Sequence, residues 1–406
     1  MQRSIPAPPT NSMDILFLSH CVPNPPDKGE KIRAWHELNA LAAKHRVHLA
    51  CFARTAAEVD KAGEMQDVCA SVFAELISPR KALAAAAMRF AFGGCLNTSF
   101  YRSSRMQAHV GELRSLPLTA TLAYSSAVVQ FAPSDVPLWI DMVDVDSEKW
   151  LEYGERRWPG AIYKLEGRRF RKLEAEYANR AECTFLTTPR EQKLLQKIAP
   201  RARVEYWING VDFERFDPRT TPANAELAKR QYLVFVGQMN YFPNVDACCW
   251  FAENVFGSLR SRWPNLEFVI VGRDPDNSIR RLANSPGIAV TGGVSDVRPY
   301  LANARAMVAP LRIARGVQNK VLEALAMGKR VLASPAVAST FGESAPEGVT
   351  RCESVSDYAA AFASTADSAQ TDTAIRQHAQ QRFSWLKNLQ FVTNELDRVS
   401  EVAVSR

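Results

Sequence analysis

The sequence has no apolar run long enough to cross a bilayer, no C-x-x-C pair and no signal-peptide core in its first twelve residues. Its longest weakly polar stretch, residues 82–92, is interrupted by Arg89 and is far shorter than the ~20 apolar residues that a membrane-spanning helix needs. The eight cysteines lie mostly in apolar runs, where a thiol packs as a small hydrophobe. We therefore expect a cytoplasmic protein without structural zinc, whose contact with the cytosolic face of the inner membrane would be peripheral.

The length and net charge of the chain indicate how many domains it has and what kind of partner it binds. The 406 residues, 47% of them hydrophobic, are enough for two packed cores. The formal net charge of +7 favours anionic partners such as phospholipid head groups, diphosphate-bearing substrates or nucleic acid. Because the basic residues are interspersed with acidic ones and no nucleic-acid motif is present, we expect no nucleic-acid partner.

Two sets of alternating apolar runs and helical segments indicate two parallel α/β sheets. The predicted strands of the first set are residues 14–20, 46–53, 120–124, 138–143 and 182–187, and those of the second are 231–237, 266–272, 288–293, 304–311 and 330–334. Residues 162–180 form the clearest predicted helix. Two such domains in tandem predict a ligand site at the carboxyl ends of the strands, in a cleft that both domains face.

The stretch over residues 206–230 is rich in Pro, Asn, Asp and Arg and reads as an interdomain linker. The predicted organisation is a disordered extension (1–12), an N-terminal Rossmann-like acceptor domain (13–207), a C-terminal Rossmann-like nucleotide-sugar domain (208–380) and a C-terminal helix (381–406). Trp385, Leu389, Val392 and Leu396 are spaced for one helical face, which predicts that this last helix packs back on the protein.

The first candidate site is the loop PNPPDKGEK after the first strand. Gly29 would let the backbone approach a ligand, and the next helix would offer amides to an anion. Lys28, Lys31 and Arg33 would add positive charge. An ordinary surface turn explains the same residues equally well.

The second candidate site lies in RIARGVQNKVLEALAMGKRVLAS, between a strand and a helix. Arg312, Arg315, Gly316 and Lys320 precede or open that helix, a combination suited to a diphosphate. Glu323 follows Lys320 by one turn and could accept two hydrogen bonds from a ribose diol, unless the two residues form only a surface ion pair. Gly237, which ends the strand pattern QYLVFVG, completes the predicted donor-binding set.

Two further features remain open between functional and structural interpretations. Asp144 and Asp146 follow the strand LWIDMV and could orient an acceptor hydroxyl or a sugar, although Asp146 followed by Ser-Glu is also a helix-start signal. The basic helix over residues 162–180 could dock on anionic lipid through its cations together with Tyr163 and Phe170, or it could be a solvated face laced with ion pairs.

Five phrases in order carry a resemblance to a known family: FLSHCVPNPPDKGEKIRAWHEL, WIDMVDVDSEKW, INGVDFERF, FVGQMNYFPNVDACCWFAENV and RIARGVQNKVLEALAMGKRVLAS. From Met13 onward the chain resembles the glycosyltransferase family 4 group of retaining GT-B enzymes, and within it the sugar transferases of exopolysaccharide clusters that accompany the PEP-CTERM sorting system. The resemblance implies two Rossmann-like domains, a last helix that returns to the N-terminal domain, a sugar nucleotide held mainly by the C-terminal domain, and no metal requirement.

The resemblance also assigns roles. It implies that Gly29 lies near the donor phosphates, that Lys320 and Arg312 face the diphosphate, and that Glu323 grips the ribose as the second glutamate of an E-x7-E pattern. The sequence departs from the family where the first glutamate is replaced by Arg315. The Arg and Lys that usually follow the first C-domain strand are also replaced, by Gln238 and Tyr241.

These features predict a glycosyltransferase that moves a hexose from a UDP- or GDP-linked donor to a lipid-diphosphate-linked or polysaccharide acceptor in exopolysaccharide biosynthesis. Lys320 and Asp144 are its candidate catalytic residues, and no cofactor or metal is expected. Two alternatives share the scaffold: a sugar-nucleotide epimerase, which needs acidic residues to handle protons, and an inactive nucleotide-sugar-binding scaffold, which the missing glutamate would favour.

Overall fold

The computed structural model describes residues 12–314, 316–365 and 371–404, and side chains up to residue 398. The predicted disordered extension lies outside the described residues apart from Ser12, and so does Arg315 of the predicted donor site. The described chain forms two compact units.

The N-terminal unit comprises the described residues up to Thr187, Glu191–Trp207 and the chain from Leu386 onward. Its parallel sheet has the order β3-β2-β1-β4-β5-β6-β7. The strands are β1 (Asp14–Ser19), β2 (Arg46–Ala53), β3 (Ser71–Leu76), β4 (Leu118–Tyr124), β5 (Leu138–Val143), β6 (Cys183–Leu186) and β7 (Val204–Tyr206). The helices are α1 (Gly29–Ala42), α2 (Ala56–Gly63), α3 (Pro79–Ala91), α4 (Leu96–Phe100), α5 (Ser104–Leu113), α6 (Asp146–Arg156), α7 (Gly160–Arg180) and α8 (Pro189–Ile198).

The apolar runs in the sequence of this unit form the central strands of its sheet. Ile15, Leu16, Phe17 and Leu18 are all fully buried, so both faces of β1 are covered. A parallel sheet with helices on each face demands such continuous apolar strands rather than an alternating pattern. The order of the strands reverses between β1 and β4, so ligands of this unit would be expected where these two strands end.

The C-terminal unit comprises Thr188–Arg190 and Ile208–Trp385. Its parallel sheet has the order β10-β9-β8-β11-β12-β13. The strands are β8 (Gln231–Val236), β9 (Leu266–Val271), β10 (Ile288–Gly292), β11 (Ala306–Ala309), β12 (Val331–Ala333) and β13 (Val349–Arg351). The helices are α9 (Ala225–Ala228), α10 (Phe242–Phe251), α11 (Gly257–Arg262), α12 (Asn277–Leu282), α13 (Arg298–Asn303), α14 (Asn319–Ala326), α15 (Pro335–Ala338), α16 (Val355–Ala363) and α17 (Thr373–Arg382), and a π-helical turn joins α10 to α11.

The last helix, α18 (Trp385–Val404), starts in the C-terminal unit and packs on the N-terminal unit from Leu386 onward. Leu389, Val392 and Leu396 are buried as their spacing predicts. Asp397 accepts hydrogen bonds from Lys44 at 3.0 Å, and Glu395 pairs with Arg203 at 2.8 Å. The predicted return of the last helix is therefore confirmed.

The predicted strands of both sets are present, within one or two residues at most ends. Three further strands were not predicted: β3, β7 and β13, which lie at the edges of the two sheets. Edge strands are short and half-exposed, so their apolar pattern is weak. Among the described helices, none is both long and apolar enough to cross a membrane.

Candidate active site

In the parallel sheet of the C-terminal unit, the order of the strands reverses between β8 and β11. In open α/β sheets this point, outside the carboxyl ends of the strands, is where ligands bind. β8 ends at Val236 and is followed by Gly237, while β11 is followed by the segment that leads into α14. The predicted donor residues Gly237, Arg312, Gly316, Lys320 and Glu323 all lie on these two connections.

Glycines allow the backbone to come close at this edge. A Cβ on Gly237 would lie 2.8 Å from Nδ2 of Asn244 and 2.9 Å from Nζ of Lys320, and one on Gly272 would lie 1.6 Å from the Gly237 carbonyl oxygen. Neither position tolerates a side chain without displacement of its neighbours. Gly316, before α14, has a φ of 61°, which favours glycine.

Lys320 is the central charged group of this site. Its Nζ donates a hydrogen bond to Oδ1 of Asn244 at 2.6 Å and lies 4.3 Å from the ring centroid of Phe235. Asn244 is itself held by a hydrogen bond from its Nδ2 to the carbonyl oxygen of Gln238 at 2.9 Å. Burial lowers the pKa of Lys320 to about 8, against the opposing influence of Cys248 and Glu323. The ammonium therefore lies in a poorly hydrated position, where an anion would interact with it strongly.

Glu323 lies one turn after Lys320 on α14 and is half-buried. Burial raises the pKa of its carboxyl to about 7, although Arg215 and Lys320 lower it. The structure shows no ion pair within 4 Å between Glu323 and any residue it describes, so the pair with Lys320 that a purely structural interpretation requires is not formed. Its carboxylate is available to accept hydrogen bonds from a ligand.

Arg312 is engaged with another side chain. Its Nε donates to Oδ2 of Asp246 at 2.9 Å, and its Nη2 donates to Oδ1 of the same carboxylate. This bidentate pair joins α10 to the segment before α14 and compensates the charge of Arg312. The sequence did not identify Asp246 as the partner of Arg312 or Asn244 as the partner of Lys320. Both lie on α10, which is far from the Arg312–Lys320 segment along the chain and approaches it only in the folded protein.

Lys28 and Gly29, the other two predicted donor residues, belong to the N-terminal unit. Lys28 precedes α1, and Gly29 is the exposed first residue of that helix. The expectation that Lys31 and Arg33 add positive charge to this loop is wrong. Lys31 donates to Glu58 at 2.8 Å, and Arg33 is fully buried with its Nε donating to Asp141 at 2.7 Å.

An acidic residue occupies the first turn of α1. Oε2 of Glu30 lies 3.4 Å from Nε2 of His20, which follows β1 and stacks on Tyr124 at a centroid distance of 5.7 Å. Burial raises the pKa of the Glu30 carboxyl, but the hydrogen bond and charge of His20, with Arg54 and Lys28, lower it to about 2. The start of α1 therefore already contains one anion of the protein itself.

Asp144 lies directly after β5 in the N-terminal unit. It accepts a hydrogen bond from Oγ1 of Thr187 at 2.9 Å. Burial and the neighbouring Glu191 raise the pKa of Asp144 to about 7, against Lys149 and Thr187, which lower it. A carboxyl group with such a pKa can exchange a proton near neutral pH.

Backbone strain is concentrated beside Asp144. Val143, at the end of β5, has a φ of 68°, and Ser125, directly after β4, has a φ of 89°. A β-branched residue in this region is unusual, and such strain is frequently found at functional sites. The helix-cap interpretation of Asp146 is corrected: Asp146 is the first residue of α6, the N-cap is Val145, and the Asp146 carboxylate pairs with Lys149 at 2.7 Å.

Comparisons with known proteins agree with this architecture. Residues 230–372 match the family model described as Glycosyl transferases group 1. Sucrose-phosphate synthase from Thermosynechococcus elongatus is similar with a TM-score of 0.70 at 15% identity, over 96% of this chain and 100% of that one. HepE from Anabaena in complex with UDP is similar with a TM-score of 0.64 at 13% identity, over 95% of this chain and 100% of that one.

A third solved structure, the trehalose 6-phosphate synthase from Burkholderia multivorans, is similar with a TM-score of 0.65 at 12% identity, over 97% of this chain and 98% of that one. No curated protein matches the sequence. The likeness of the whole chain to these structures shows the GT-B fold, with two Rossmann-like α/β units. The family match places a group 1 glycosyl transferase domain in the C-terminal unit. A GT-B fold with a group 1 glycosyl transferase domain agrees with the glycosyltransferase that the sequence resemblance predicts.

Proposed function

We propose that this glycosyltransferase moves a hexose from a UDP- or GDP-linked sugar to a hydroxyl group of a lipid-diphosphate-linked or polysaccharide acceptor. The observation that carries the proposal is the half-buried ammonium of Lys320, which lies beside Gly237 where the strand order of the C-terminal sheet reverses. A poorly hydrated cation next to a close backbone approach is suited to a diphosphate.

The proposed reaction breaks the bond between the anomeric carbon of the hexose and the β-phosphate oxygen, and it forms a bond from that carbon to the acceptor oxygen. Negative charge develops on the departing nucleoside diphosphate. Lys320 and the amide dipoles at the start of α14 would stabilise this charge, and such stabilisation contributes several kcal/mol to catalysis. The leaving diphosphate would accept the proton of the acceptor hydroxyl.

Glu323 is proposed to bind the ribose of the donor. Its carboxylate lies one helical turn from Lys320 and is half-buried, and the structure shows it in no ion pair with the residues it describes. A carboxylate can accept a hydrogen bond from each hydroxyl of a ribose diol at once. The residue would thus fix the nucleoside while Lys320 contacts the diphosphate.

Asp144 is proposed to orient the acceptor hydroxyl or the transferred hexose. The support is its position at the carboxyl end of β5, its raised pKa of about 7, and the strained backbone of Val143 before it. Three further expectations rest on the sequence resemblance alone: retention of the anomeric configuration, independence of metal ions, and a role in exopolysaccharide biosynthesis. Action in the cytoplasm is expected from the cysteine usage.

A panel of UDP-, GDP- and ADP-sugars in a thermal-shift assay tests the donor site, because a ligand that binds the folded state raises its stability by mass action. We expect one nucleotide class to stabilise the protein. Glu323→Ala should abolish this shift while the unliganded protein still unfolds cooperatively, whereas Glu343→Ala, a change of an exposed glutamate in the same unit, should leave it intact. An unchanged shift in Glu323→Ala would contradict the ribose assignment.

Turnover with the preferred donor and a lipid-diphosphate sugar tests the transfer itself. The anomeric configuration of the product, read by NMR, tests retention, and an assay in EDTA tests metal independence. If the donor sugar were interconverted without an acceptor, the chain would act as an epimerase. If a nucleotide sugar bound by calorimetry but neither transfer nor interconversion followed, it would be an inactive nucleotide-sugar-binding scaffold.

A further inference from the structure

Helix α3 of the N-terminal unit is almost entirely outside the core. Of its thirteen residues only Ala86 is buried. Leu83 and Met88 are 60% and 66% exposed, and Phe92, directly after the helix, is 87% exposed. Scattered exposed apolar residues are ordinary, but several of them on one short helix mark an interaction surface.

A second group of exposed apolar residues lies where α6 turns into α7. Trp158 is 92% exposed, and Ile162 and Leu165 are 45% and 39% exposed. Ile162, Leu165 and Arg169 are spaced for one face of α7, and Trp158 lies two residues before that helix begins. The sequence-based choice of Phe170 as an apolar contact is wrong, because Phe170 is fully buried, whereas Tyr163 is half-buried and stacks on Trp150 at 5.8 Å.

The turn that carries Trp158 is held by close helix packing. A Cβ on Gly160 would lie 2.4 Å from the carbonyl oxygen of Gly154, and one on Gly167 would lie 2.9 Å from the carbonyl oxygen of Ser147. Only glycine allows α6 and α7 to approach this closely. The turn is therefore a firm support for an exposed tryptophan rather than a loose loop.

The two groups belong to one surface. Arg169 of α7 donates to the carbonyl oxygens of Phe90 at 2.6 Å and of Gly94 at 3.0 Å. Glu166 accepts from the backbone amides of Leu96 at 2.7 Å and Asn97 at 2.9 Å. These bonds fix the end of α3 against α7. We call the exposed residues of 79–92 and 156–172 the α3–α7 face.

This face contains the excess charge of the protein. Residues 79–92 and 156–172 include ten basic residues and one acidic residue, a net charge of +9, while the whole chain has +7, so the remainder is net −2. The single acid, Glu166, is buried under the end of α3. Arg80, Lys81, Lys164 and Arg168 are exposed, and the structure shows no ion pair for them with any residue it describes.

We propose that the α3–α7 face docks the enzyme on an anionic phospholipid bilayer. Exposed leucine, phenylalanine and tryptophan would enter the boundary between head groups and acyl chains, where tryptophan is favoured. The unpaired lysine and arginine side chains around them would contact the phosphates.

The charge of the α3–α7 face favours an anionic bilayer over a second copy of the chain as its partner. A symmetric dimer through the α3–α7 face would place two clusters of exposed lysine and arginine side chains against each other, because the same patch meets itself in such an interface. An anionic bilayer instead supplies the opposite charge and an apolar layer in one surface. The bilayer can therefore contact both the cationic and the apolar side chains of the face.

Flotation of the full-length protein with vesicles tests the proposal. We expect binding to phosphatidylglycerol-containing vesicles, little binding to pure phosphatidylcholine vesicles, and a marked loss when the salt is raised from 0.1 M to 1 M. The triple variant Lys81→Gln, Lys164→Gln and Arg168→Gln should bind about 100-fold more weakly, at about fivefold for each cation.

A matched control removes the same charge elsewhere in the N-terminal unit. Lys193→Gln, Lys197→Gln and Arg201→Gln change three exposed cations on and after α8 and should lower vesicle binding much less. A second triple variant, Leu83→Ser, Phe92→Ser and Trp158→Ser, keeps the charge and should weaken binding at least tenfold through lost apolar burial. Its control is Leu386→Ser, 76% exposed on α18.

Two results would overturn the proposal: equal binding of the parent protein to anionic and zwitterionic vesicles, and equal losses in the α8 control. A dimer in sedimentation that the α3–α7 variants dissolve, without any vesicle binding, would assign the face to a second copy instead. The nucleotide-sugar thermal shift should be the same in all variants. It reports on the donor site separately, so failure of either proposal can be told from failure of the other.

Discussion

Replacement of Lys320 by methionine tests whether this residue serves the ligand or the fold. Methionine keeps an apolar stem against Phe235 and removes the ammonium. In the unliganded protein, burial lowers the pKa of Lys320 from 10.5 to about 8. Because the fold disfavours the protonated form, the charge costs about 3 kcal/mol of stability at pH 7, and this cost disappears as pH rises from about 8 to 10.5.

The lost hydrogen bond to Asn244 acts in the opposite direction and removes about 1–2 kcal/mol. We therefore expect Lys320→Met to be more stable than the parent by about 1–2 kcal/mol at pH 7, measured by urea unfolding. The same variant should lose about 2–4 kcal/mol of transition-state stabilisation, seen as a 30- to 1,000-fold lower kcat/KM. A gain in stability together with a loss of activity is the signature of a functional buried charge.

Lys329→Met is the matched control. Lys329 is a buried lysine of the C-terminal unit, its pKa is also lowered to about 8 by burial, and it lies before β12, at the amino end of the sheet. This variant should change stability without a change in donor affinity. If Lys320→Met instead unfolded more easily and bound the donor as tightly as the parent, Lys320 would be a structural residue and the donor site would lie elsewhere.

Three further predictions concern the same reaction. Gly237→Ala would place a Cβ 2.9 Å from Nζ of Lys320, so donor affinity measured by calorimetry should fall at least tenfold, whereas Gly257→Ala, with no atom within 4 Å of the new Cβ, should leave it unchanged. Donor affinity should be greatest between about pH 7 and 8, because Glu323 is protonated below about 7 and Lys320 loses its proton above about 8. Asp144→Asn should lower kcat about 100-fold or more with little change in donor affinity.

Each of these three has a contrary outcome. Equal affinity losses in the two glycine variants would point to general destabilisation. A flat pH profile of donor binding would show that the protonation of Lys320 and Glu323 does not control donor affinity. If it does, Glu323→Gln should abolish the acidic limb of the profile while the alkaline limb remains. Full activity in Asp144→Asn would assign the raised pKa of that carboxyl to burial alone.

The strands that lie in the middle of the two sheets could be predicted because they are continuous apolar runs, as β1 and β8 show. The three missed strands lie at sheet edges, where β7 has only three residues and one of them is buried. The length and charge pattern of residues 162–180 predicted helix α7, but they did not predict which side of the helix is buried. Which of its aromatic residues faces the core depends on the helices that cover it.

The candidate site could also be predicted only in part, from the residues that are close together in the sequence. A glycine after a strand and a Lys-x-x-Glu pattern at a helix start indicate a phosphate and ribose site from local chemistry alone. The pairing of Arg312 with Asp246 and the burial of Arg33 against Asp141 connect residues far apart in the chain. No local pattern contains such pairs.

The sequence alone determined that this protein has two parallel α/β units, that its last helix returns to the first unit, and that it resembles GT-B glycosyltransferases, because hydrophobic periodicity and short motifs are properties of neighbouring residues. Only the tertiary structure decided which cations are neutralised and which remain available. It buries Arg33, pairs Arg312, and leaves Lys81, Lys164 and Arg168 exposed around an apolar helix. The physical reason is that the free energy of a charge depends on its burial and its partners, and both are fixed only when distant segments pack together.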